Sequence, residues 1–179
     1  MHETLYEDLK EKILAKRKKI KVGDPMDDET DIGYIKALRT RKSMENAIKS
    51  CKGAKILLGS MKGEWITPFV LETNTYPDLE LFGPFLILQK CKDENELISA
   101  AINTEHGFLI AYFGTPSETS VQKFYDRFGM VHNNPEFRFT PLRLPFGEKG
   151  KSGWILTREN NHIEKRDGAF IYSEELVHE

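Results

Sequence analysis

Cys51 and Cys91 are the only thiols in the chain, so any nucleophilic chemistry run through sulfur would have to use one of them. A reactive thiol needs an adjacent base or a positive microenvironment that favours the thiolate. Cys51 falls within a stretch of helical spacing just before Gly53, and Cys91 sits between Lys90 and Lys92 at the end of an apolar run. Neither cysteine has a histidine or glutamate base in its sequence context, and neither is assigned a catalytic role. His2, His106, His132, His162 and His178 are scattered, without the i, i+4 spacing or the cysteine neighbours of a zinc site, so no metal is expected. Among the acids and amides, Glu80 opens the stretch Glu80-Leu81-Phe82-Gly83-Pro84 ahead of the apolar run 85–88, and Asn134 precedes Pro135. By residue type alone, Glu80 is an exposed acid before a strand that Gly83 and Pro84 turn inward. Phe82 is then a core aromatic and Asn134 a turn residue.

The elements that must position these residues follow from periodicity. Thr4 with Glu7 makes a capping box, and Leu5, Leu9, Ile13 and Ile20 recur at helical spacing, with lysines and Arg17 at the end where cations favour a helix C-terminus. Residues 21–33, with two glycines, Pro25 and a run of acids, form a solvated connection. A second helix over about residues 35–51 points Leu38, Met44, Ala47, Ile48 and Cys51 toward the core. Residues 55–58 and 65–71 are then two extended segments around a turn. Farther on, residues 85–89, 108–113 and 130–132 read as buried strands, alternating with helices over 93–102 and after Thr115-Pro116, whose apolar face is Val121, Phe124 and Phe128. Strands alternating with helices at this spacing need right-handed crossovers, so the expected fold class is α/β: three layers, a mostly parallel sheet with helices on both faces. Residues 133–153 lack a clean period and are expected to be irregular and able to line a pocket. A last strand is expected within 169–177.

The chain has 179 residues, long enough for one domain with a real core and short for a two-domain dinucleotide-dependent dehydrogenase. Its composition, 39% apolar and 30% charged, is that of a folded globular protein. A formal charge of -2 gives no global attraction to nucleic acid or to anionic membranes. The basic residues 16–21 with Arg39, Arg41 and Lys42 lack interleaved aromatics for base stacking. No nucleic-acid or membrane partner is therefore expected. Residues 1–14 alternate charged and apolar side chains, unlike a signal peptide, and two cysteines fit a reducing compartment, so a cytoplasmic location is expected.

The segment Glu80-Leu81-Phe82-Gly83-Pro84 resembles a signature of the aldehyde dehydrogenase superfamily. Further segments resemble the same family in its own order: Lys21-Val22-Gly23-Asp24-Pro25, Gly53-Ala54-Lys55-Ile56-Leu57, Ile66-Thr67-Pro68, residues 103–107, Gly129-Met130-Val131, and Pro145-Phe146-Gly147 ahead of Ser152-Gly153. The resemblance runs through most of the chain and corresponds to the C-terminal third or so of the family. It implies a catalytic-domain-like fold over 1–168, with 169–179 a possible oligomerisation strand and tail. It also implies NAD or NADP as cofactor. Glu80 would accept hydrogen bonds from the nicotinamide-side ribose hydroxyls, a carboxylate offering two oxygens to a vicinal diol. Phe82 would pack beside the nicotinamide, and Asn134 would face the substrate pocket.

The departures from the family carry expectations of their own. Pro145-Phe146-Gly147-Glu148 places an acid where the family has glycine, which implies a remodelled pocket wall. His2-Glu3-Thr4-Leu5-Tyr6 resembles the segment just after the strand that follows the family's nucleophilic cysteine. The cysteine, the general-base glutamate and the glycine-rich dinucleotide fold would then lie upstream of residue 1, and this polypeptide alone is expected to be inactive. A sheet edge left bare recruits another strand, so a homo-oligomer through that edge is expected. Residues 169–172 resemble, weakly, the family's final strand, which pairs with a neighbouring subunit.

Overall fold

In a computed structural model of the chain, residues 1–75, 81, 83–134, 149, 150 and 152 are described, together with the backbone of 154–159 and 162–167. They fall into two compact units, Met1–Leu97 and Ile98–Glu179.

The first unit holds α1 (Glu3–Lys18), α2 (Leu38–Ser50), β1 (Lys55–Leu58), β2 (Met61–Lys62), β3 (Trp65–Ile66), β4 (Phe69–Glu72) and β5 (Phe85–Leu88). β4 is the middle strand of three, antiparallel to β1 and parallel to β5, with Phe69 opposite Phe85 and Glu72 opposite Leu88. Its continuous apolar run is what a strand covered on both faces requires, because successive side chains point to opposite sides. Phe69 and Leu71 join Met44, Cys51 and Ile66 in one buried cluster, while Val70 joins Tyr6 and Leu88 in another. Met44 belongs to α2 and Tyr6 to α1, so a helix covers each face of this sheet.

Three details of this unit differ from the sequence-based expectation. The inward face of α1 is turned by one residue: Leu5 is 56% exposed and Leu9 36%, while Tyr6 is 1% exposed. Tyrosine buries a large apolar ring when its hydroxyl finds a partner, and the Tyr6 hydroxyl does so on Glu72. The helix also starts two residues earlier than a Thr4 cap allows, with the His2 Nδ1 accepting from the Thr4 N–H at 3.3 Å. The extended segment expected over 65–71 is two strands separated by Thr67 and Pro68; β3 pairs back on β2 through Lys62 and Trp65, and β4 enters the sheet. In α2, Met44 and Ala47 are buried as expected, whereas Leu38 stands at the exposed start of the helix.

Helix α3 (Glu94–Ile102) crosses the boundary between the units. Beyond it lie β6 (His106–Gly107), β7 (Leu109–Tyr112), α4 (Glu118–Arg127), β8 (Met130–Asn133), β9 (Lys149–Gly150), β10 (Trp154–Glu159) and β11 (His162–Asp167). β7 and β8 are parallel and joined by α4, a crossover unit in which the Phe124 ring packs 5.6 Å from the Tyr112 ring, centroid to centroid. Phe124 and Phe128 are buried, as the spacing of this helix predicts. Ser117 caps the helix by accepting from the Ser120 N–H at 3.3 Å. β6 pairs antiparallel with β9, and β10 with β11 from Trp154 opposite Asp167 to Glu159 opposite His162. The sequence reading assigned no element to this last hairpin. The fold is α/β, and among the described residues its parallel pairs stand beside antiparallel ones. The strand expected within 169–177 lies outside the described residues.

Candidate functional site

The sheet of β1, β4 and β5 has two rims with different chemistry. At the rim where β4 and β5 begin, the chain enters β5 through Gly83 and Pro84. The Pro84 carbonyl accepts from the Phe69 N–H, and the Gly83 carbonyl from the Phe85 N–H, both at 2.8 Å. A Cβ on Gly83 would lie 2.7 Å from the Met44 Sδ, so the backbone here is pressed against a fully buried side chain of α2. Gly59, just after β1, lies equally close to β4: its Cβ would sit 2.5 Å from the Phe69 ring and 2.8 Å from the Phe69 Cα, and its φ is 122°. The Phe69 and Phe85 rings stack at 6.1 Å. The two glycines are what let the backbone close on Phe69 and Met44 at this rim. Glu80 and Phe82 themselves, and the Pro145-Phe146-Gly147-Glu148 segment, lie outside the described residues. What the structure shows of the Glu80 stretch is its clamped end, Gly83-Pro84.

Asn134 belongs to the second unit. It follows β8 with φ 43°, in the left-handed region that asparagine tolerates better than most residues. Its Oδ1 accepts from the Gly114 N–H at 2.9 Å and its own N–H donates to the Tyr112 carbonyl at 2.8 Å. The residue thus ties the end of β8 to the end of β7.

The opposite rim, where β4 and β5 end, is charged. An open cleft of about 610 Å³ is lined there by Glu3, Tyr6, Lys55, Glu72, Lys90 and Lys92 among others. At its floor the Tyr6 hydroxyl donates to the Glu72 Oε2 at 2.8 Å, and the Lys10 Nζ reaches the same oxygen at 3.2 Å and the Glu7 carboxylate at 2.5 Å. The Lys10 and Lys90 ammonium groups lie 5.0 and 5.7 Å from the Tyr6 ring centroid. Burial, then the hydrogen bond to Glu72, pushes the Tyr6 phenol up to about 12. The same hydrogen bond holds the Glu72 carboxyl below the usual range, and the bond to Glu7 raises Lys10. Each group is fixed in its ordinary charge state, so the network binds its own members together and offers no poised acid or base. Nothing in the sequence marked this cluster, because Tyr6 and Glu72 are 66 residues apart.

Both thiols are inside the first unit, Cys51 at 5% and Cys91 at 2% exposure, and burial raises the Cys51 pKa. A buried thiol with a raised pKa is a poor nucleophile. Among the described residues no group of three His, Cys, Asp or Glu side chains is placed to hold a metal ion, and no helix is long and apolar enough to cross a membrane.

Comparison with known proteins agrees with this geometry. The sequence profile of the aldehyde dehydrogenase family matches residues 1–165, and the chain belongs to that family. It is 31% identical over 163 residues to a lactaldehyde dehydrogenase of Methanococcus maripaludis, a match that takes in 86% of this chain and 34% of the relative. Among solved structures it resembles aldehyde dehydrogenase 21 of Physcomitrella patens, crystallised with the product succinate, at a TM-score of 0.74 and 28% identity, covering 94% of this chain and 38% of that one. It also shares the fold of a betaine aldehyde dehydrogenase of Staphylococcus aureus solved with NAD+, at a TM-score of 0.71 and 22% identity, covering 84% and 33%. The chain thus spans about a third of the length of the curated relatives it matches.

Proposed function

We propose that this chain serves NAD- or NADP-dependent aldehyde oxidation by supplying the C-terminal part of the catalytic fold, with Glu80 on the nicotinamide-side ribose, Phe82 beside the nicotinamide and Asn134 toward the aldehyde. The match of the family across residues 1–165 carries the reading. The clamped Gly83-Pro84 turn supports it, because it fixes where the Glu80 stretch leaves the sheet. When bound, the dinucleotide would accept hydride from the substrate. Its site on this chain rests on Glu80 and Phe82, since the described rim around Gly83 is filled by Met44 and leaves no cradle of its own. Alone, the chain forms no thioester intermediate in this reading, because its two thiols are buried. The expected setting is cytoplasmic, where free thiols persist.

Fluorescence of Trp65 and Trp154 tests the cofactor role. Addition of NAD or NADP should give a weak change, and Glu80→Gln should reduce it further. An equal response from wild type and variant would remove Glu80 from the site. Aldehyde-dependent NADH formation by the purified chain would overturn the claim that it is inactive alone.

A second reading, a non-catalytic assembly module that joins itself or another chain through a sheet edge, is favoured by one observation. Among the described residues β5 is an edge strand. Analytical sedimentation of the chain as a clean monomer at high concentration would count against self-association.

A further inference from the structure

The end of α4 lacks one backbone donor, and a side chain supplies it. The Phe128 N–H still closes on the Phe124 carbonyl at 2.8 Å, but Phe128 itself is extended and the chain leaves the helix there. The Gly129 N–H, which a continuing helix would give to Tyr125, goes instead to the Gly107 carbonyl at 2.8 Å. The Tyr125 carbonyl is therefore left without a backbone donor among the described residues, and the Lys149 ammonium reaches it at 2.5 Å. A cation in this place satisfies the open carbonyl and faces the negative end of the helix dipole. Gly107 makes the reach possible. A Cβ there would lie 2.5 Å from the Arg127 carbonyl oxygen and 2.8 Å from that of Lys149, so a residue without a side chain is what lets β9 pair with β6 this close to α4. The following turn adds a second tie. The Ser152 N–H donates to the Lys149 carbonyl at 3.3 Å, and the Ser152 hydroxyl accepts from the Gly107 N–H at 3.2 Å.

We propose that Lys149 is a positioning residue: its bond to α4 fixes the downstream end of the stretch 135–148, as Asn134 fixes the upstream end. Both anchors act on one crossover unit. Asn134 bonds to Gly114 and Tyr112, where β7 ends, and Lys149 bonds to Tyr125 in the helix that joins β7 to β8. An exposed lysine paired with an exposed acid contributes little, because either partner can turn to water. Lys149 differs in its acceptor, a main-chain oxygen held in place by the helix and given up by the backbone donor that would otherwise take it. That the stretch between the two anchors serves the aldehyde pocket rests on the function proposed above.

The test uses the full chain and two variants. Lys149→Met keeps the stem and removes the donor, whereas Lys149→Arg keeps a donor. In Lys149→Met, exchange of the Gly107 amide should quicken by about fivefold, the scale of one modest hydrogen bond. Initial tryptic cleavage at Arg138 and Arg143, the two basic residues of the stretch, should rise by about the same factor when read by mass spectrometry. Lys149→Arg should stay within about twofold of wild type in both measurements. Wild-type rates in Lys149→Met, or an arginine variant as fast as the methionine one, would overturn the proposal. If Lys149→Met fails to fold, competitive acetylation of the wild type decides: Lys149 should react about threefold or more slowly than the exposed Lys52, because its ammonium must first leave the carbonyl, and equal rates would overturn the proposal. Titrating wild type and Lys149→Met with NAD separates the two claims. Faster exchange and cleavage without any dinucleotide response would leave Lys149 in its role and remove the proposed function.

Discussion

The two rims of the β1–β4–β5 sheet are held by opposite means. Where β4 and β5 begin, backbone meets side chain with no room for a Cβ, at Gly59 against Phe69 and at Gly83 against Met44. Where they end, Tyr6, Glu72, Lys10 and Glu7 form a connected polar network at the floor of an open cleft. Steric closure tolerates no added atom, because cores are packed near crystal density and their neighbours cannot retreat. A partly solvated ion network loses one bond at a time. The contrast separates a rim whose backbone is fixed from one whose charged groups keep their freedom. A clamped backbone holds a nearby side chain's origin still, whereas the lysines around the second rim pivot on long flexible stems.

The largest effect should come from Gly59→Ala. Its added methyl would overlap both the Phe69 ring and the Phe69 Cα, and its φ of 122° is one that side chains rarely adopt. Steric and backbone strain together should cost on the order of 3 kcal/mol, read as a lowered urea midpoint. Gly83→Ala should cost less, about 1–2 kcal/mol, because the obstructing Met44 Sδ belongs to a flexible side chain that can move. On the proposed role of Glu80, three residues before Gly83 in sequence, it should also weaken any fluorescence change that NAD induces. If Gly83→Ala were as stable as wild type to within about 0.5 kcal/mol, the close packing ascribed to this rim would not exist.

How far these features were legible in the sequence depends on the range over which their causes act. The runs at 69–72 and 85–88 declare buried strands, because continuous apolar residues have few other uses at that length. The first helix was legible as a helix and not in its facing. Hydrophobicity alone favours Leu5 and Leu9, and the choice of Tyr6 depends on a carboxylate 66 residues away. The β10–β11 hairpin was missed because charged residues such as Arg158, Glu164 and Arg166 interrupt the apolar alternation; the Asn160-Asn161 pair between the two strands was the available turn signal. Glu80, Phe82 and Asn134 came from family resemblance. For Asn134 the residue type alone foretold a turn position, which the structure realises with a positive φ. Gly83 read as a simple turn residue, and its contact with Met44 depends on α2, nearly forty residues upstream.

The smallest effects belong to the polar rim, and they depend on pH. Tyr6→Phe keeps the buried ring and removes the hydrogen bond to Glu72, which should lower stability by about 1 kcal/mol near neutrality. Glu72 is held below the usual carboxylate range, first by Tyr6 and then by Lys10, so its contribution is complete above the unfolded carboxylate pKa and is lost as pH falls through the lower folded value. The Tyr6 phenol moves the other way, from 10.0 to about 12 in the fold, so its contribution is complete below 10.0 and lost as pH climbs through about 12. Wild type and Tyr6→Phe should therefore differ most between these limits. Their thermal midpoints should converge toward acid, where Glu72 takes up its proton, and again toward strong alkali, where only the wild type must ionise a buried phenol. A difference that stays constant from acid to alkali would mean that the bond is not linked to either titration, and the second rim would then owe its order to the packing of the Tyr6 ring alone.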